Sequence, residues 1–254
     1  MKLFDIFGKS GENSKEIKNF KIGKNADERK INSIEKLKSE KIDYIDWLPL
    51  RYETDEIIPR TIEEISSRAI CTLVSIQAAF LINNDDYTEE KQKSIKELLY
   101  KRYGQKEENL TFKEFGILNN EADKQDAVNM IWKYEAYWSL LWALGMVDEL
   151  EFPSKVVDGY KANDYVLNCK DFEEFEAKVQ LRSTDEILAQ LDLHYRYHWA
   201  CVNNRINGST KKGMLDEEIV MERRAGLEWL CSKNKDEEKI TDEYNNWDYP
   251  DLNT

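Results

Sequence analysis

The sequence predicts an all-α fold: a single globular multi-helix domain over residues 26–254, preceded by a flexible, basic N-terminal tail over residues 1–25. The 254 residues include only 10 glycines and 4 prolines. Sandwiches and barrels need turn residues about every 8–12 positions, so this scarcity favours helices joined by few breaks. Two further observations support this fold class: a set of helix-start signals, and the helical spacing of the apolar residues that follow them.

Capping boxes mark three of the helix starts. In such a box a hydroxyl accepts from the backbone N–H three residues on, and a glutamate side chain reaches back to the backbone N–H of the cap. The boxes are Thr61 with Glu64, Thr111 with Glu114, and Ser183 with Glu186. Because each precedes an apolar-periodic run, they predict helices over about 61–82, 111–118 and 183–206.

Apolar periodicity predicts three more helices. One begins near Asp27 and carries Ile31, Ile34 and Leu37 on one face. The others cover about 121–144 and about 217–231. The segment 155–168 has no clear period and could hold a short extended stretch. No internal repeat is visible, which disfavours a solenoid.

The distribution of charge restricts the choice of partners. The formal net charge is −13, although residues 1–41 are basic, with an excess of four positive charges. An acidic body is repelled by phosphate backbones, so the sequence does not predict a nucleic-acid partner. The basic tail could contact a membrane surface or an acidic partner, or could simply be solvated.

Cysteine usage and hydropathy predict a cytoplasmic protein. No run of 18 or more apolar residues occurs, so no membrane span is expected. The first residues lack the apolar core and cleavage site of a signal peptide. The four cysteines are widely separated and form no CxxC pair: Cys71, Cys169, Cys201 and Cys231. Reduced thiols are therefore expected. The sequence does not determine the oligomeric state.

Several ionisable residues lie on helix faces that should be buried. Glu135 lies in the middle of the apolar face of helix 121–144, and Arg223 near the centre of that of helix 217–231. On helix 183–206, His198 lies within the apolar face, with Asp192 and Arg205 at its two edges. The complete candidate buried polar cluster is Arg68, Glu135, Asp192, Arg196, His198, Arg205, Glu222 and Arg223.

An unpaired charge in a core is too costly to persist, so these groups must pair, reach water or line a cavity. Two interpretations remain open: a structural network that ties helices together, or a polar cleft with perturbed pKa values. The most specific expectation is that Glu135 and Arg223 share one ion-paired network. Glu135 could instead pair with His198 or Arg205.

The sequence predicts neither a metal nor a cofactor, and it does not identify catalytic residues. His194 and His198 have the i,i+4 spacing of a zinc pair, but they are the only histidines. One core and one edge histidine are expected instead. No Walker loop, G-x-G-x-x-G or G-x-S-x-G motif is present. The seven tryptophans, at helical spacing, are expected to lie mostly in the core.

Five stretches resemble a known family. They begin at Arg60 (RTIEEISSRA), Trp132 (WKYEAYWSLLWALGMVDEL), Leu181 (LRSTDEILAQLDLHYRYHWA), Val220 (VMERRAGLEWL) and Trp247 (WDYPDLNT). They are similar to a bacterial helical family known as domain of unknown function 4272, from about residue 29 onwards. The resemblance places the family pattern on Arg60, Glu64, Arg68, Glu135, Trp138, Trp142, Gly145, Asp148, Asp192, Tyr195, Arg196, His198, Trp199, Arg205, Glu222, Arg223 and Trp229. The sequence departs from that pattern at His194, Arg224 and Asn253.

The resemblance implies no reaction, substrate or cofactor, so three functional hypotheses remain. The first is a non-catalytic interaction or accessory protein, for example of the immunity type, whose partner is another protein. The second is an enzyme or small-anion-binding protein that uses the buried Arg/Glu/His cluster. The third is attachment to a membrane surface through the tail. An open cavity lined by the cluster would favour the second hypothesis, and a filled core the first.

Overall fold

Residues 20–208, 215–231 and 246–254 are described by the structure, a computed structural model of the chain. Within these ranges the regular elements are helical and no strand occurs, which confirms the predicted fold class. The α-helices are α1 Ala26–Glu40, α2 Ile62–Asn83, α3 Glu89–Glu97, α4 Phe112–Leu118, α5 Lys124–Ala143, α6 Gly159–Leu167, α7 Phe172–Glu176, α8 Thr184–Asn207 and α9 Glu217–Cys231. A π-helical turn, Leu98–Arg102, continues α3, and 3-10 turns lie at Thr54–Glu56 and Glu107–Asn109.

The predicted capping boxes form at the starts of three helices. At α2, Thr61 Oγ1 accepts from the N–H of Glu64 at 3.1 Å, and the N–H of Thr61 donates to Glu64 Oε2 at 2.6 Å. The same reciprocal bonds form at the starts of α4 and α8. Each of these helices therefore begins one residue after its predicted cap.

The five longest helices form a row in which α2 packs on α5, α5 on α9, α9 on α8, and α8 on α1. The main hydrophobic core lies around α2, α5 and α9, and a smaller one lies between α1 and α8. Four of the tryptophans are buried, namely Trp138, Trp142, Trp229 and Trp247, whereas Trp47 is 76% exposed. Because α5 and α9 are central, ionisable residues on their facing sides are removed from solvent.

Gly226 allows α9 to approach α5 closely. A Cβ atom at this position would lie 2.7 Å from the carbonyl oxygen of Ala136, so any larger residue would push the helices apart. Arg223 lies almost one turn before Gly226 on α9, and Glu135 directly precedes Ala136 on α5. The glycine thus brings the backbones together next to the place where these two charged side chains meet.

By length and composition α2 is apolar enough to cross a membrane, but 78% of its apolar window is buried inside the fold. Packing against α5 and α4 accounts for its apolar surface. Helix α2 therefore meets the length and composition criterion of a membrane span although it is a core helix of the domain.

The residues that close the sequence, 246–254, pack back onto the helices and are called the C-terminal segment here. Trp247 is 1% exposed and stacks edge-on against Trp229, with ring centroids 5.5 Å apart. Asp248 accepts from Thr111 Oγ1 at 2.8 Å and from the N–H of Lys113 at 3.0 Å, and so helps to cap α4. The segment thereby joins α4 to α9.

Most of the predicted tail, residues 1–19, lies outside the described residues. Its last residues, 20–25, are described and lead into α1. Asn25 caps that helix by accepting from the N–H of Glu28 at 2.8 Å, and Arg29 donates to the carbonyl oxygen of Gly23 at 3.4 Å.

Three local predictions were wrong. Residues 155–168 contain helix α6 rather than an extended stretch, because Asp158 accepts from the N–H groups that begin the helix. Ile31, predicted on the inner face of α1, is 56% exposed, since α1 turns Arg29 and Leu37 inward. Ile206, which the helical spacing places on the apolar face of helix 183–206, is 73% exposed, because the last turn of α8 is not covered by the described part of the fold.

Candidate functional site

Glu135 and Arg223 form the predicted ion pair. Arg223 Nε donates to Glu135 Oε2 at 2.8 Å, and the two residues are 1% and 2% exposed. The N–H of Val157 donates to the second carboxylate oxygen at 2.6 Å, and Arg223 Nη1 donates to the carbonyl oxygen of Glu151 at 2.5 Å. Burial raises the pKa of the Glu135 carboxyl, and Arg223 and the Val157 amide oppose that shift. The pair ties α5 and α9 to the loop that follows α5.

Asp192 and Arg196 form a second buried pair within α8. Arg196 Nε and Nη2 donate to the two oxygens of Asp192 at 2.9 and 2.8 Å. Such two-point contacts are the strongest arginine–carboxylate arrangement. Arg196 Nη2 also lies 3.4 Å from the carbonyl oxygen of Pro49, which connects α8 to the loop after α1.

His198 is paired with Arg224, a residue at which the sequence departs from the pattern of the family that it resembles. Arg224 Nη1 donates to His198 Nδ1 at 2.8 Å. Burial and the charges of Arg224 and Arg205 lower the pKa of His198 to about 4, so the ring is neutral at pH 7. Arg224 also donates to Glu228 Oε1 at 3.2 Å, and Arg51 reaches the same carboxylate at 2.6 Å.

Arg68 pairs with the capping glutamate of α4. Arg68 Nη1 lies 2.5 Å from Glu114 Oε2, and Thr72 Oγ1 donates to the other oxygen at 2.7 Å. The guanidinium also lies near the rings of Trp229 and Trp247, with its carbon 5.8 and 5.7 Å from their centroids. The capping box of Thr111 and Glu114, which was predicted only as a helix start, therefore also contributes Glu114 to a buried ion pair with Arg68.

The other two candidate residues lie elsewhere. Glu222 is half-buried and forms a 3.3 Å ion pair with Lys133 at the edge of α5. Arg205 is not part of a buried cluster: its side chain is 66% exposed and pairs with Glu217 at 3.2 Å. The prediction failed because Arg205 lies on the uncovered last turn of α8. In the described residues the eight candidates thus fall into separate pairs.

Several partners of these residues were not singled out as site residues from the sequence. Arg224 and Glu228 stand four apart on α9, a spacing that signals an ion pair on a helix. Arg51 and the N–H of Val157 lie in loops, where no periodicity marks them. Asp248 is distant in sequence from α4, and only the folded chain shows that it caps this helix.

Two cavities border these helices. The larger, about 710 Å³, lies between α4, α5, α9 and the C-terminal segment, and is called the acidic groove here. Its apolar floor includes Ile117, Met130 and Met221. It is lined by five carboxylates and two lysines, and Glu222 is the one candidate residue among them. The exposed carboxylates on its rim are Glu121, Asp126 and Glu218.

The second cavity, about 500 Å³, lies between α1, α8 and the loop at 148–153, and is called the His194 cavity here. His194 was expected at the edge of α8, but it is 1% exposed, because α8 is covered on both sides by α1 and α9. None of the eight candidate residues lines this cavity. A third cavity of about 440 Å³ lies beside α6.

The paired arrangement limits the chemistry of the cluster. Carboxylates and backbone carbonyls already occupy the donors of the arginines at most positions, so a substrate anion would have to displace them. In the part of the chain that the structure describes, no three His, Cys, Asp or Glu residues are grouped as metal ligands. His194 and His198 each use Nδ1 in a contact with the protein.

Fold and geometry together define an all-α, single-domain protein in which the buried pairs Glu135–Arg223, Asp192–Arg196 and Arg68–Glu114 are neutralised within the fold. The chain belongs to the family described as domain of unknown function 4272, whose model matches residues 29–249. This confirms the resemblance seen in the sequence. No curated protein and no solved structure matches the chain. The family description names no reaction or ligand.

Proposed function

We propose that this protein is a non-catalytic cytoplasmic interaction or accessory protein, such as one of the immunity type, that binds a positively charged segment of another protein in the acidic groove. The groove itself carries the proposal: it is open, its floor is apolar and its rim is acidic. The neutral pairing of the buried cluster supports the same conclusion, since these groups are occupied within the fold. The four cysteines are unpaired, in keeping with a reducing compartment.

The chemistry of the groove indicates the chemistry of the partner. Phe112 and Tyr249, both lining residues, are 40% and 44% exposed, so apolar surface is available for contact. The lining has a formal excess of three negative charges. Binding should therefore combine an apolar anchor on the floor with Lys or Arg side chains opposite the rim.

Photocrosslinking in the native cytosol tests this proposal. A photoreactive phenylalanine analogue in place of Phe112 should capture a partner, which mass spectrometry then identifies. The same analogue in place of Tyr160, an aromatic residue on α6 that is 67% exposed, is the matched control. Equal capture at both positions would contradict the proposal.

The purified partner then allows a charge test. Neutralising the rim by Glu121→Gln, Asp126→Asn and Glu218→Gln should weaken binding, slow association and reduce its salt dependence. Neutralising the exposed Asp55, Glu107 and Glu108 in the same way removes equal charge elsewhere and should have little effect. A control variant that weakens binding as strongly would show that net charge, and not the groove, determines the interaction.

The competing hypothesis, an enzyme or anion binder built on the buried cluster, predicts a different result. Phosphate or a small carboxylate would then stabilise the protein against thermal unfolding, and Arg196→Lys would abolish the effect. Because Asp192 already neutralises Arg196, we do not expect an anion to bind there.

A further inference from the structure

Residues 1–9 of the sequence (MKLFDIFGK), called the N-terminal segment here, are apolar although the stretch that follows them is polar. The segment carries four large apolar side chains within residues 3–7, namely Leu3, Phe4, Ile6 and Phe7. Residues 10–19 (SGENSKEIKN) include a single apolar residue, and their composition is that of a linker. Large apolar side chains gain free energy when they leave water, so the segment should pack on an apolar site.

The chain enters the described part of the fold at the His194 cavity. Phe20, the first described residue, lines this cavity and packs against the smaller core between α1 and α8. Asn32 Nδ2 donates to the carbonyl oxygen of Lys21 at 3.2 Å, which holds the entry point against α1. The N-terminal segment is therefore tethered to the wall of the cavity through residues 10–19.

The cavity offers apolar surface to such a segment. Its volume of about 500 Å³ lies within the size range of sites that take small organic groups. The rings of Phe152 and Tyr197 pack edge-on in its wall, with centroids 6.0 Å apart. Leu150 and Phe152 are only half-buried, so part of their apolar surface faces the open side of the cavity. A concave apolar surface of this kind is typical of a binding site.

The charges at the rim of the cavity complement those of the segment. Two ion pairs, at 2.9 and 3.2 Å, neutralise the lining charges on α1 and at the start of α8. The loop at 148–153 adds three exposed carboxylates that form no ion pair within the described residues, namely Asp148, Glu149 and Glu151. The segment carries a lysine on each side of its apolar run, Lys2 and Lys9. Apolar side chains in the cavity would thus place these lysines near the acidic rim.

We propose that the N-terminal segment docks in the His194 cavity of its own chain. Phe4 and Phe7 pack on the apolar wall, and the two lysines face the carboxylates of the loop at 148–153. The tether keeps the segment at an effective concentration of about 1 mM, so an intrinsic dissociation constant of about 0.1 mM would leave the cavity about nine-tenths occupied. Docking withholds both the cavity and the segment from other partners. This contact is separate from the acidic groove and does not depend on the proposed function.

Binding of a synthetic peptide with the sequence of residues 1–9 tests the proposal. The full chain with Phe4→Ser and Phe7→Ser should bind this peptide with a dissociation constant of about 0.1 mM in isothermal titration. The wild type should bind it about tenfold more weakly, because its own segment competes for the cavity. A peptide in which both lysines are replaced by glutamate should bind the double variant at least about tenfold more weakly.

Three results of the titrations would overturn the proposal. The double variant would not bind the peptide if the cavity were no site for it. The wild type and the double variant would bind it equally if the cavity were not occupied by the chain's own segment. The glutamate peptide would bind as well as the original one if the acidic rim made no contact with the lysines.

Photocrosslinking locates the contact. A photoreactive phenylalanine analogue in place of Phe4 of the full chain should cross-link to the loop at 148–153 or to α8. A mixture of isotopically light and heavy protein distinguishes cross-links within one chain from those between two chains. Cross-links to residues of the acidic groove, or to a second copy of the chain, would overturn the proposal.

A charge reversal at the rim provides the matched comparison for the cross-link. The full chain with Asp148→Lys, Glu149→Lys and Glu151→Lys should give a cross-link yield at least about threefold lower. The same change at three exposed carboxylates elsewhere, Asp55, Glu107 and Glu108, should leave the yield unchanged. An equal loss in both variants, or a loss in neither, would overturn the proposal.

Discussion

A charged side chain in this protein is buried only where a second charge or several backbone groups meet it. Glu135 shows the rule: one oxygen accepts from Arg223 and the other from the N–H of Val157. Removing either residue of the pair leaves the remaining charge in a nearly dry environment, where its solvation cannot be replaced. Removing one partner of the pair should therefore destabilise the fold by more than the intact pair stabilises it.

The Glu135–Arg223 pair leads to a prediction for a double-mutant cycle. Glu135→Gln and Arg223→Met should each lower the free energy of unfolding by roughly 3–5 kcal/mol, because each strands a buried partner. The double variant should lose clearly less than the sum, since no charge is then stranded. Urea unfolding followed by circular dichroism measures all four proteins.

The protein contains a matched exposed pair for this cycle. Arg205→Met and Glu217→Gln make the same chemical changes in a pair between α8 and α9 whose arginine is largely in solvent. Each should cost less than about 1 kcal/mol. Additive losses at Glu135 and Arg223, of a size similar to those of the exposed pair, would contradict the burial described above.

The buried His194 predicts that the free energy of unfolding decreases at acidic pH. Burial lowers the pKa of His194 from 6.5 to about 3, so between these values the unfolded chain binds a proton that the folded chain does not. Stability should therefore fall as the pH drops below 6.5, by up to about 1.4 kcal/mol per pH unit for this residue. His194→Leu should lose less stability than the wild type between pH 7 and pH 5. Parallel curves for the two proteins would show that the ring titrates equally in both states.

At the residue scale the sequence predicts which charges must find partners, but only some of the partners. Glu135 and Arg223 could be matched because both lie in the middle of apolar faces of long helices. Arg205 was misplaced, because periodicity assigns a direction around a helix and does not reveal where the covering element ends. Arg51 lies in a loop, and nothing in its neighbours indicates that it reaches Glu228.

At the scale of helices, local chemistry determines where they begin. Thr61, Thr111 and Ser183 act as caps in the fold because their hydroxyls accept from the N–H three residues on. Helix α3 was not predicted, since it is short and buries none of its residues, so that no apolar stripe marks it. Long amphipathic helices are thus readable from sequence, whereas short surface helices leave little signal.

The start of α4 is capped twice, which leads to a prediction for Asp248. Asp248→Ala should lower the free energy of unfolding by about 1–3 kcal/mol, because it removes the acceptor for Thr111 Oγ1 and the N–H of Lys113 in a buried place. Asp251→Ala, in the same segment but exposed, is the control and should have a smaller effect. Equal losses would mean that the segment is not docked on α4 as described. Hydrogen exchange at α4 provides the local measurement.

At the scale of the whole molecule, the fold buries every cysteine: three lie on helices of the row, and Cys169 lies in the loop after α6. The four thiols are free and buried. Burial raises the pKa of Cys201 to about 12, which leaves little of the reactive thiolate at neutral pH. The four thiols should therefore react slowly with a thiol reagent in buffer, and all four should react rapidly once the chain is unfolded in urea. Rapid labelling of the native protein would show that the row opens locally, and mass spectrometry would identify the helix concerned.

The docking of residues 246–254 also determines the order in which contacts can form while the chain is being synthesised. Trp247 and Asp248 complete the surroundings of Trp229 and of the start of α4, yet they follow both of these elements in the chain and are therefore synthesised after them. While they remain inside the ribosome, α2, α4 and α5 have already emerged but lack these contacts. A nascent chain should accordingly stay open to proteases and chaperones along the α4–α9 side until these residues are released.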